Sequence, residues 1–434
     1  MNCTRPFLGL RSLPCLALVV GLALFGCDGA VSKGAIDSGS AADAADSGGA
    51  SVPSLGDPTF VVPSAGLPAE VTLGASNNNL DVAYHAGRTF LAFRSSKNHF
   101  ASDGTVLWVV SSADEVVWRY EGHFAQGTDL REPRFFAWNG QLWLYYAVLG
   151  KDPADFEPQG SEAARWLGPG SWEGPKDVLS KDFIPWRVRL LPDGRPVMIG
   201  YQGGANVYRS TGGGLRIQLL TTADGWTWTP LVTEGKGLDG KGKGVSEGVV
   251  LEGGGSEADF ALLPDGGLVL VVRNEAGDDS GYGAKVCRAE AADWSAFTCK
   301  PDPRKYDSPL LIQHGGGTWL IGRRSLKNDG KFDLGLANRS KDDRYIKYQT
   351  QWWSGPKRCS LWRVDALTLR VDFALDLPSA GDTCFASALP IPGAPHGYRV
   401  WNYTSPLDKP DISWLVGQLG QTSIYRVDLT LPSP

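Results

Sequence analysis

From about residue 75 onward, apolar and polar positions return in one recurring order. A charged residue opens a short strand-like run, a Gly-containing turn follows, and a second run rich in β-branched and aromatic residues comes next. The unit appears as Asp81-Val-Ala-Tyr-His-Ala-Gly87 before RTFLAFR and as Glu132-Pro-Arg-Phe-Phe-Ala-Trp-Asn-Gly140 before QLWLYYAV. It returns as Arg187-Val-Arg-Leu-Leu-Pro-Asp-Gly194 before RPVMIGY and as Glu257-Ala-Asp-Phe-Ala-Leu-Leu-Pro-Asp-Gly266 before GLVLVVR. Asp307-Ser-Pro-Leu-Leu-Ile-Gln-His-Gly315 precedes GTWLIGRR, and Asp382-Thr-Cys-Phe-Ala-Ser-Ala-Leu-Pro leads to YRVWNY. Each reads as a β-hairpin, most clearly where Asn-Gly or Asp-Gly supplies the positive φ of a tight turn.

Intervals of about 50 to 75 residues leave room for two further strands per unit, visible as TVLWVVSS and VVWRYEG, LRIQLLTT and WTWTPLV, and CSLWRVD and TLRVDFALDL. Four antiparallel strands repeated radially predict an all-β fold, a six-bladed β-propeller with four-stranded antiparallel blades. A strand from Thr59–Thr72 is expected to close the last blade, because closure removes exposed edges. A pair of β-sandwiches is the structural alternative, but sandwiches rarely repeat one hairpin grammar six times.

Composition narrows the picture. The 55 Gly and 28 Pro among 434 residues would interrupt long helices, and 16 Trp, 16 Phe and 13 Tyr supply too much apolar surface for a disordered chain. A net charge of −5 gives no basic footprint, so no nucleic-acid partner is expected.

Arg5 and Arg11 precede an apolar run, Leu13–Phe25, that ends in Leu24-Phe25-Gly26-Cys27. This resembles a bacterial lipoprotein signal. The resemblance implies that residues 1–26 are removed and that Cys27 carries the lipid. Residues 27–56 are mostly Ala, Ser, Gly and Asp and read as a disordered tether of roughly 30 Å r.m.s. span. Residues 57–434 form the propeller. No later run of 18 apolar residues follows, so the expected membrane contact is the lipid alone. The expected location is the cell envelope, on the periplasmic or cell-surface side, with the protein a monomer.

Of seven Cys, four remain after Cys3, Cys15 and Cys27: Cys287, Cys299, Cys359 and Cys384. In an oxidising compartment they suggest up to two disulfides, with three pairings possible. Cys287–Cys299, a short loop within one sheet, is favoured, with Cys359–Cys384 as its complement. There is no Cys-x-x-Cys pair and no close ligand spacing among the five His, so neither metal nor cofactor is expected. The acidic Glu275–Asp279 stretch lacks an EF-hand pattern, and the basic Lys236–Val245 segment lacks a phosphate-loop ending. The insertion Lys327–Trp353 is open to two readings, a rim to the central funnel or a solvated loop.

Thr222-Ala-Asp224-Gly225-Trp-Thr227-Trp228 resembles the Asp box of bacterial sialidases; Ser112-Ala-Asp114-Glu-Val-Val-Trp118 repeats its spacing, and Glu290-Ala-Ala-Asp-Trp294 echoes it. In that family the box is a structural turn, so these residues imply a propeller rather than catalysis. Glu257, followed across a hairpin by Arg273, is similar to the sialidase segment bearing a catalytic Glu and an Arg for the substrate carboxylate. The first blade implies Asp103 as acid/base. The last blade implies a nucleophilic Tyr, but that position holds Phe385, and the family's first Arg falls at Leu80-Asp81-Val82.

If the innermost strands run equivalently, Asp81, Glu132, Arg187, Glu257, Asp307 and Asp382 meet at one mouth, with Arg131 and Asp259 beside them. Carboxylates and guanidiniums around a polar funnel suit a carbohydrate or glycoconjugate. The resemblance then implies Glu257 as acid/base or activator and Asp81 or Asp103 as partner carboxylate. Arg187, Arg273 and Arg323 would bind an acidic substituent, with Tyr403 an available hydroxyl. Asp81 and Arg131-Glu132-Pro also compare with five-bladed fructosidases and arabinanases, in which Asp81, Glu132 and Glu257 would be nucleophile, stabiliser and acid. A non-catalytic glycan- or protein-binding surface propeller is the third reading.

Overall fold

A computed structural model describes residues 52–208, 214–231, 248–291 and 293–433. The leader, Cys27, most of the tether and Lys236–Val245 lie outside the described residues. Among those described, strands form six antiparallel sheets arranged as the six blades of a β-propeller. Two short strands, β1 (Ser54–Leu55) and β2 (Thr59–Val62), precede the first blade. Blade one is β3 (Ser76–His85), β4 (Arg88–Ser96), β5 (Val106–Ser112) and β6 (Arg119–Phe124); blade two is β7 (Leu130–Trp138), β8 (Gln141–Leu149), β9 (Pro158–Gly168) and β10 (Ser171–Leu179). Blade three is β11 (Ile184–Leu190), β12 (Pro196–Gln202) and β13 (Leu215–Thr222), with an outer edge shared by β14 (Trp228–Pro230) and β15 (Val249–Gly253). Blade four is β16 (Ala258–Leu262), β17 (Leu268–Asp278), β18 (Gly281–Ala289) and β19 (Phe297–Asp302); blade five is β20 (Asp307–His314), β21 (Gly317–Ser325), β22 (Lys357–Asp365) and β23 (Arg370–Asp376).

Blade six is β24 (Ser387–Pro390), β25 (Gly397–Thr404) and β26 (Ser423–Thr430), and the N-terminal strands complete it: β1 and β2 both pair with β26. Closure therefore uses Thr59–Val62 as expected, and it also uses Ser54–Leu55, which the sequence reading had placed in the tether. Asn77 N–H, at the start of β3, donates to Thr422 Oγ1 at 2.8 Å and ties blade one to blade six.

Alternation along central strands builds the core. In β17, Leu268, Leu270 and Val272 join an apolar cluster with Ile217 and Leu219 of blade three, whereas Val269 and Val271 join Leu311, Leu320 and Trp362 of blade five. Each sheet is thus covered on both faces by its neighbours, and apolar layers lie between blades. Cys287–Cys299 bridges β18 and β19 within blade four, and Cys359–Cys384 joins blade five to the lead-in of blade six.

The Asp boxes are turns. Asp114 Oδ1 accepts the N–H groups of Val116 and Val117 at 2.9 Å, and these bonds hold its carboxyl down to about 2. Asp224 Oδ1 accepts from Trp226 and Thr227 at 2.8 and 2.7 Å. Asp365 makes the same turn in blade five, to Leu367 and Thr368, without the Trp that would mark it in sequence. The Glu290…Trp294 likeness is one of spacing only: Glu290 pairs with Arg288, and Asp293 caps the turn through Ser295 N–H at 3.0 Å.

The blade-three turn seats against blade two. Trp226 packs edge-on against Trp143 at 4.7 Å, Trp228 meets Tyr145 at 5.5 Å, and Tyr145 hydroxyl donates to Gly225 O at 2.9 Å. Gly225 has φ 78°, and a Cβ there would sit 2.4 Å from Trp143.

The insertion in blade five holds a helix, α1 (Lys341–Ser354), and a second short helix, α2 (Trp414–Leu419), precedes β26. Ser340 caps α1 by accepting Asp343 N–H at 3.1 Å, and Tyr345, Tyr348, Gln349, Trp352 and Trp353 form its buried stripe. Gln349 donates to Glu275 Oε1 of blade four at 2.8 Å, and Trp353 lies 4.8 Å from Trp414 of α2. The helical part of the insertion is therefore packed against blade four and α2, while residues 337–343 are exposed.

Gly225→Ala should lower stability by about 1–3 kcal/mol in urea unfolding, since it combines a left-handed backbone with a clash against Trp143. Gly140→Ala, with φ 70° and open space around it, should cost only about 1 kcal/mol. Equal losses would mean the inter-blade contact is not tightly packed.

Candidate functional site

The first strand of every blade, β3, β7, β11, β16, β20 and β24, has a sheet neighbour on one side only. Four of these strands carry a register shift near their start: at Asn78/Leu80, Arg131/Arg134, Pro185/Arg187 and Asp307/Leu310. Asn79, Glu132 and Ser308 have φ of 39°, 55° and 54°, so the bulge falls on a left-handed residue in three blades. A bulge re-aims the side chains around it. The strand-opening charges fall into two groups by their direct partners, and Glu132 acts on both, on Arg187 of one and on Glu257 of the other.

One group is a run of ion pairs from blade four to blade five, carried on to blade six by hydrogen bonds through Tyr403. Glu257 Oε1 meets Arg273 Nη1 at 2.8 Å, Arg273 meets Glu275 at 3.0 Å, and Glu275 meets Lys305 at 2.7 Å. Lys305 lies 3.5 Å from Asp307, which pairs with Arg323 at 3.1 Å. Arg323 reaches Tyr403 hydroxyl at 3.5 Å, and that hydroxyl donates to Asp382 at 3.0 Å. Asp382 also accepts from Trp414 Nε1 at 3.0 Å and meets His99 Nδ1 at 2.6 Å. Arg131 completes the circuit, pairing with Asp129 and donating to His99 O at 2.6 Å.

The other group braces blades one, two and three against five and six. Asp81 accepts Ser387 Oγ at 2.6 Å and Phe135 N–H at 2.7 Å, and lies 3.8 Å from Arg187. Arg187 donates to Ala386 O at 3.0 Å and Pro309 O at 3.3 Å. Asp259 accepts Leu311 N–H at 2.6 Å and pairs with Arg189. Between them stands Arg134, only 1% exposed, against the rings of Phe385 at 4.3 Å and Trp186 at 4.8 Å.

Burial pushes the Glu257 carboxyl up to about 7, with the Asp307 and Glu132 carboxyls adding to it; Arg273 opposes, but its charge is shared with Glu275. Burial likewise raises Glu132, against Arg134 and Arg131. Glu275 is equally buried, yet Lys305 and Arg273 hold it down to about 2. Asp382 also resists its burial and stays low beside His99 and Arg323, while burial lowers His99 despite Asp382. Tyr403 is raised well above its usual range by burial and by Asp382, so its hydroxyl keeps its proton.

Several expected roles do not match these placements. Arg187, Arg273 and Arg323 are engaged by acceptors of the protein itself, Arg323 also by Thr383 O at 2.6 Å and Cys384 O at 3.1 Å. Asp103 lies exposed on a turn of the loop whose His99 reaches Asp382, and no bond joins it to Glu257. Both Asp81 oxygens are taken. Tyr403 is a 1%-exposed donor to Asp382 rather than an open hydroxyl. The acidic stretch from Glu275 turns that carboxylate onto Lys305 and Arg273, and among the described residues no cluster of His, Cys, Asp and Glu could hold a metal ion.

Sequence reasoning missed Arg134, His99 and Asn79, whose Nδ2 donates to Glu132 Oε1 at 3.1 Å. The signal for Arg134 was its place two residues after Glu132, matching Asp81 two residues after Asn79. His314 and His396, distant in sequence, meet at 3.2 Å on the tips of two inner hairpins. A cavity of about 460 Å³ lies between blades two and three, lined by Val178, Phe183, Gln218 and Trp228 among others, apart from this site.

The chain matches no family model and no curated protein. Among solved structures it is similar to a protein of unknown function from Dyadobacter fermentans, at 14% identity over 82% of this chain and 95% of that one, with a TM-score of 0.53. It is also similar to a mutant of Trypanosoma rangeli sialidase displaying trans-sialidase activity, at 13% identity and a TM-score of 0.50, covering 87% of this chain but 58% of the sialidase. Trypanosoma rangeli sialidase itself gives 13% identity, a TM-score of 0.50, and coverage of 82% and 55%. The class is thereby defined as a divergent six-bladed β-propeller of sialidase-like fold. Identities this low speak for the fold alone.

Asp382→Ala removes the acceptor shared by His99, Tyr403 and Trp414 and should cost roughly 3–5 kcal/mol in chemical unfolding. Asp103→Ala should stay within about 0.5 kcal/mol of the native chain. A mild effect at Asp382 would show that the buried network contributes little to stability.

Proposed function

We propose that this chain is an exported lipoprotein, anchored through Cys27, whose propeller hydrolyses glycosides of a carbohydrate or glycoconjugate. The observation that carries the reading is a pair of buried carboxyls, Glu257 and Glu132, both raised by burial, with Glu132 raising Glu257 further against Arg273. A carboxyl that keeps its proton near neutral pH is the requirement for a general acid in glycoside cleavage. Glu257 takes that role, with its Oε1 on Arg273 and its Oε2 accepting Ser308 N–H at 2.6 Å, and Glu132, whose Oε2 has no hydrogen-bond partner, is the partner carboxylate. Arg273 holds Glu257 at 2.8 Å, and Asn79 Nδ2 holds Glu132 by donating to its Oε1 at 3.1 Å. Two disulfides fit an extracellular or periplasmic setting, and no helix among the described residues is long and apolar enough to cross a membrane.

The second reading, a glycan- or protein-binding propeller without turnover, is favoured by Phe385 where the related enzymes' nucleophile would stand and by the engaged state of Arg273 and Arg323. The five-bladed glycosidase comparison finds less support, since six blades are present.

Glu257→Gln, assayed on aryl glycosides that include a sialoside, should lower kcat by at least 100-fold while the far-UV spectrum and unfolding midpoint persist. Native protein inactive on every substrate would sink the hydrolase reading and leave the binding one.

The sign of the pH dependence follows from the raised carboxyl. Glu257 is active when protonated, so kcat should fall as pH rises through about 7. A rate that climbs across the same interval would assign the limiting group to a base instead.

A further inference from the structure

Glu257 stands just before the first strand of blade four, so the turns that end the first and third strands of the blades lie on the face opposite it. Apolar side chains project from those turns. Val116 and Val117, between β5 and β6, are 61% and 64% exposed, and Tyr84, at the end of β3, is 61% exposed. Leu367, between β22 and β23, is 80% exposed, and Leu167, at the end of β9, is 58% exposed. Leu190 extends the row to blade three. The other exposed large apolar side chains within the propeller lie on outer strands or in the insertions that carry α1 and α2.

The row is centred on the point where the chain enters the fold. Val52, itself exposed, precedes β1, whose Ser54 and Leu55 pair with Thr430 and Leu429 at the end of β26. Gly56 N–H donates to Asp428 O at 2.8 Å, Asp428 pairs with Arg399 at 2.7 Å, and Arg399 pairs with Glu115 at 2.8 Å, next to Val116. Thr89, opposite Tyr84 in the ladder, donates to the same Glu115 at 3.0 Å. His85 meets the ring of Trp166 at 5.5 Å, beside Leu167, and the contact of His314 with His396 joins the tips of blades five and six. The turns suit a medium of low polarity. Asp114 fills the N–H groups of Val116 and Val117, and Asp365 those of Leu367 and Thr368, so these donors need no water. In the matching turn of blade three Trp226 is seated on Trp143, whereas Val116 and Val117 point into solvent.

We propose that this face docks on a phospholipid surface, with Val52, Tyr84, Val116, Val117 and Leu367 entering the headgroup region and Glu257 turned away from the bilayer. The proposal rests on the reading of Cys27 as the lipid-bearing residue and adds the surface that the propeller itself presents. Residues 28–51 separate Cys27 from Val52. Fully extended they reach about 80 Å, too far for the anchor alone to fix the propeller against the membrane. They do keep these turns at a high effective concentration beside the lipid, where weak apolar insertion is enough. Stiff turns lose little freedom on docking.

The test reads amide hydrogen exchange on the lipidated full chain in vesicles of phosphatidylethanolamine and phosphatidylglycerol, each peptide corrected for its intrinsic rate. The comparison is a chain carrying Val52→Ser, Tyr84→Ser, Val116→Ser and Val117→Ser together, with the anchor unchanged. Residues 82–90 and 112–120 should exchange at least fivefold more slowly in the native chain. Residues 405–420, in the insertion on the opposite face, should exchange alike in both. Equal exchange on the docking face overturns the proposal, and so does protection found at 405–420 instead. Protection that grows with the density of protein in the bilayer marks contact between copies and overturns it too. If the variant does not fold, neutron reflectometry of the native chain on a supported bilayer of the same lipids decides alone. Protein density that begins at the headgroups supports docking, and an intervening water layer overturns it. Mass spectrometry of the peptide holding Cys27 tests the anchor separately. A bare thiol there strikes the lipoprotein reading alone, and the same comparison is then made with both chains coupled through Cys27 to a maleimide lipid.

Discussion

A strand at the axis of a propeller has a ladder partner on one side, so backbone groups on its other side must find acceptors and donors elsewhere. In this chain, charged side chains of neighbouring blades provide them. Asp81 accepts Phe135 N–H, Glu257 accepts Ser308 N–H at 2.6 Å, and Asp259 accepts Leu311 N–H. Carbonyls are met in the same way: Ala386 O by Arg187, Leu311 O by Arg189 at 2.9 Å, and Thr383 O and Cys384 O by Arg323. The ionic residues of the innermost strands are therefore first the substitute for a missing strand. They join one blade to the next where no apolar layer does so.

That constraint explains which parts were legible in the sequence. Hairpins, blade count and the Asp224 turn were legible because each is a local pattern: alternation, a turn residue, an acid ahead of its own N–H groups. The helix in the blade-five insertion was legible too, since Tyr345, Tyr348, Gln349, Trp352 and Trp353 follow helical spacing, although that reading was not made. The bulges at Asn79, Glu132 and Ser308 were not legible, because nothing in Asn-Leu, Glu-Pro or Ser-Pro dictates a left-handed residue. A shift of one position in register changes which face a side chain takes. Asp81 and Asp382, placed together by the hairpin pattern, consequently belong to different networks.

The same constraint engages most of the charged residues near the axis with one another. Arg187, Arg273, Arg323, Asp307 and Asp382 share their charge with named partners in the protein, and the hydrogen bonds among Tyr403, His99, Trp414 and Asp382 tie blade six to the blade-one loop and α2. Glu132, Arg134 and Asn79 keep atoms without a hydrogen bond near the bulges of blades one and two, as do Arg187 Nε and Asp307 Oδ1 near those of blades three and five. Fold likeness at 13% identity carries no residue roles with it, and here the arginines at familiar positions are the ones already occupied.

The state of Glu257 is not set by its ion pair alone. A carboxylate 2.8 Å from a guanidinium would ordinarily lose its proton readily. Arg273, however, also faces Glu275, which burial alone would neutralise and which Lys305 keeps charged from the other side. Glu275 is fixed further by Gln349 of α1. Burial is the largest influence on the Glu257 proton, and the Asp307 and Glu132 carboxyls add to it against Arg273 and Ser308 N–H. The helix inserted in blade five meets the same run of ion pairs through the bond from Gln349 to Glu275.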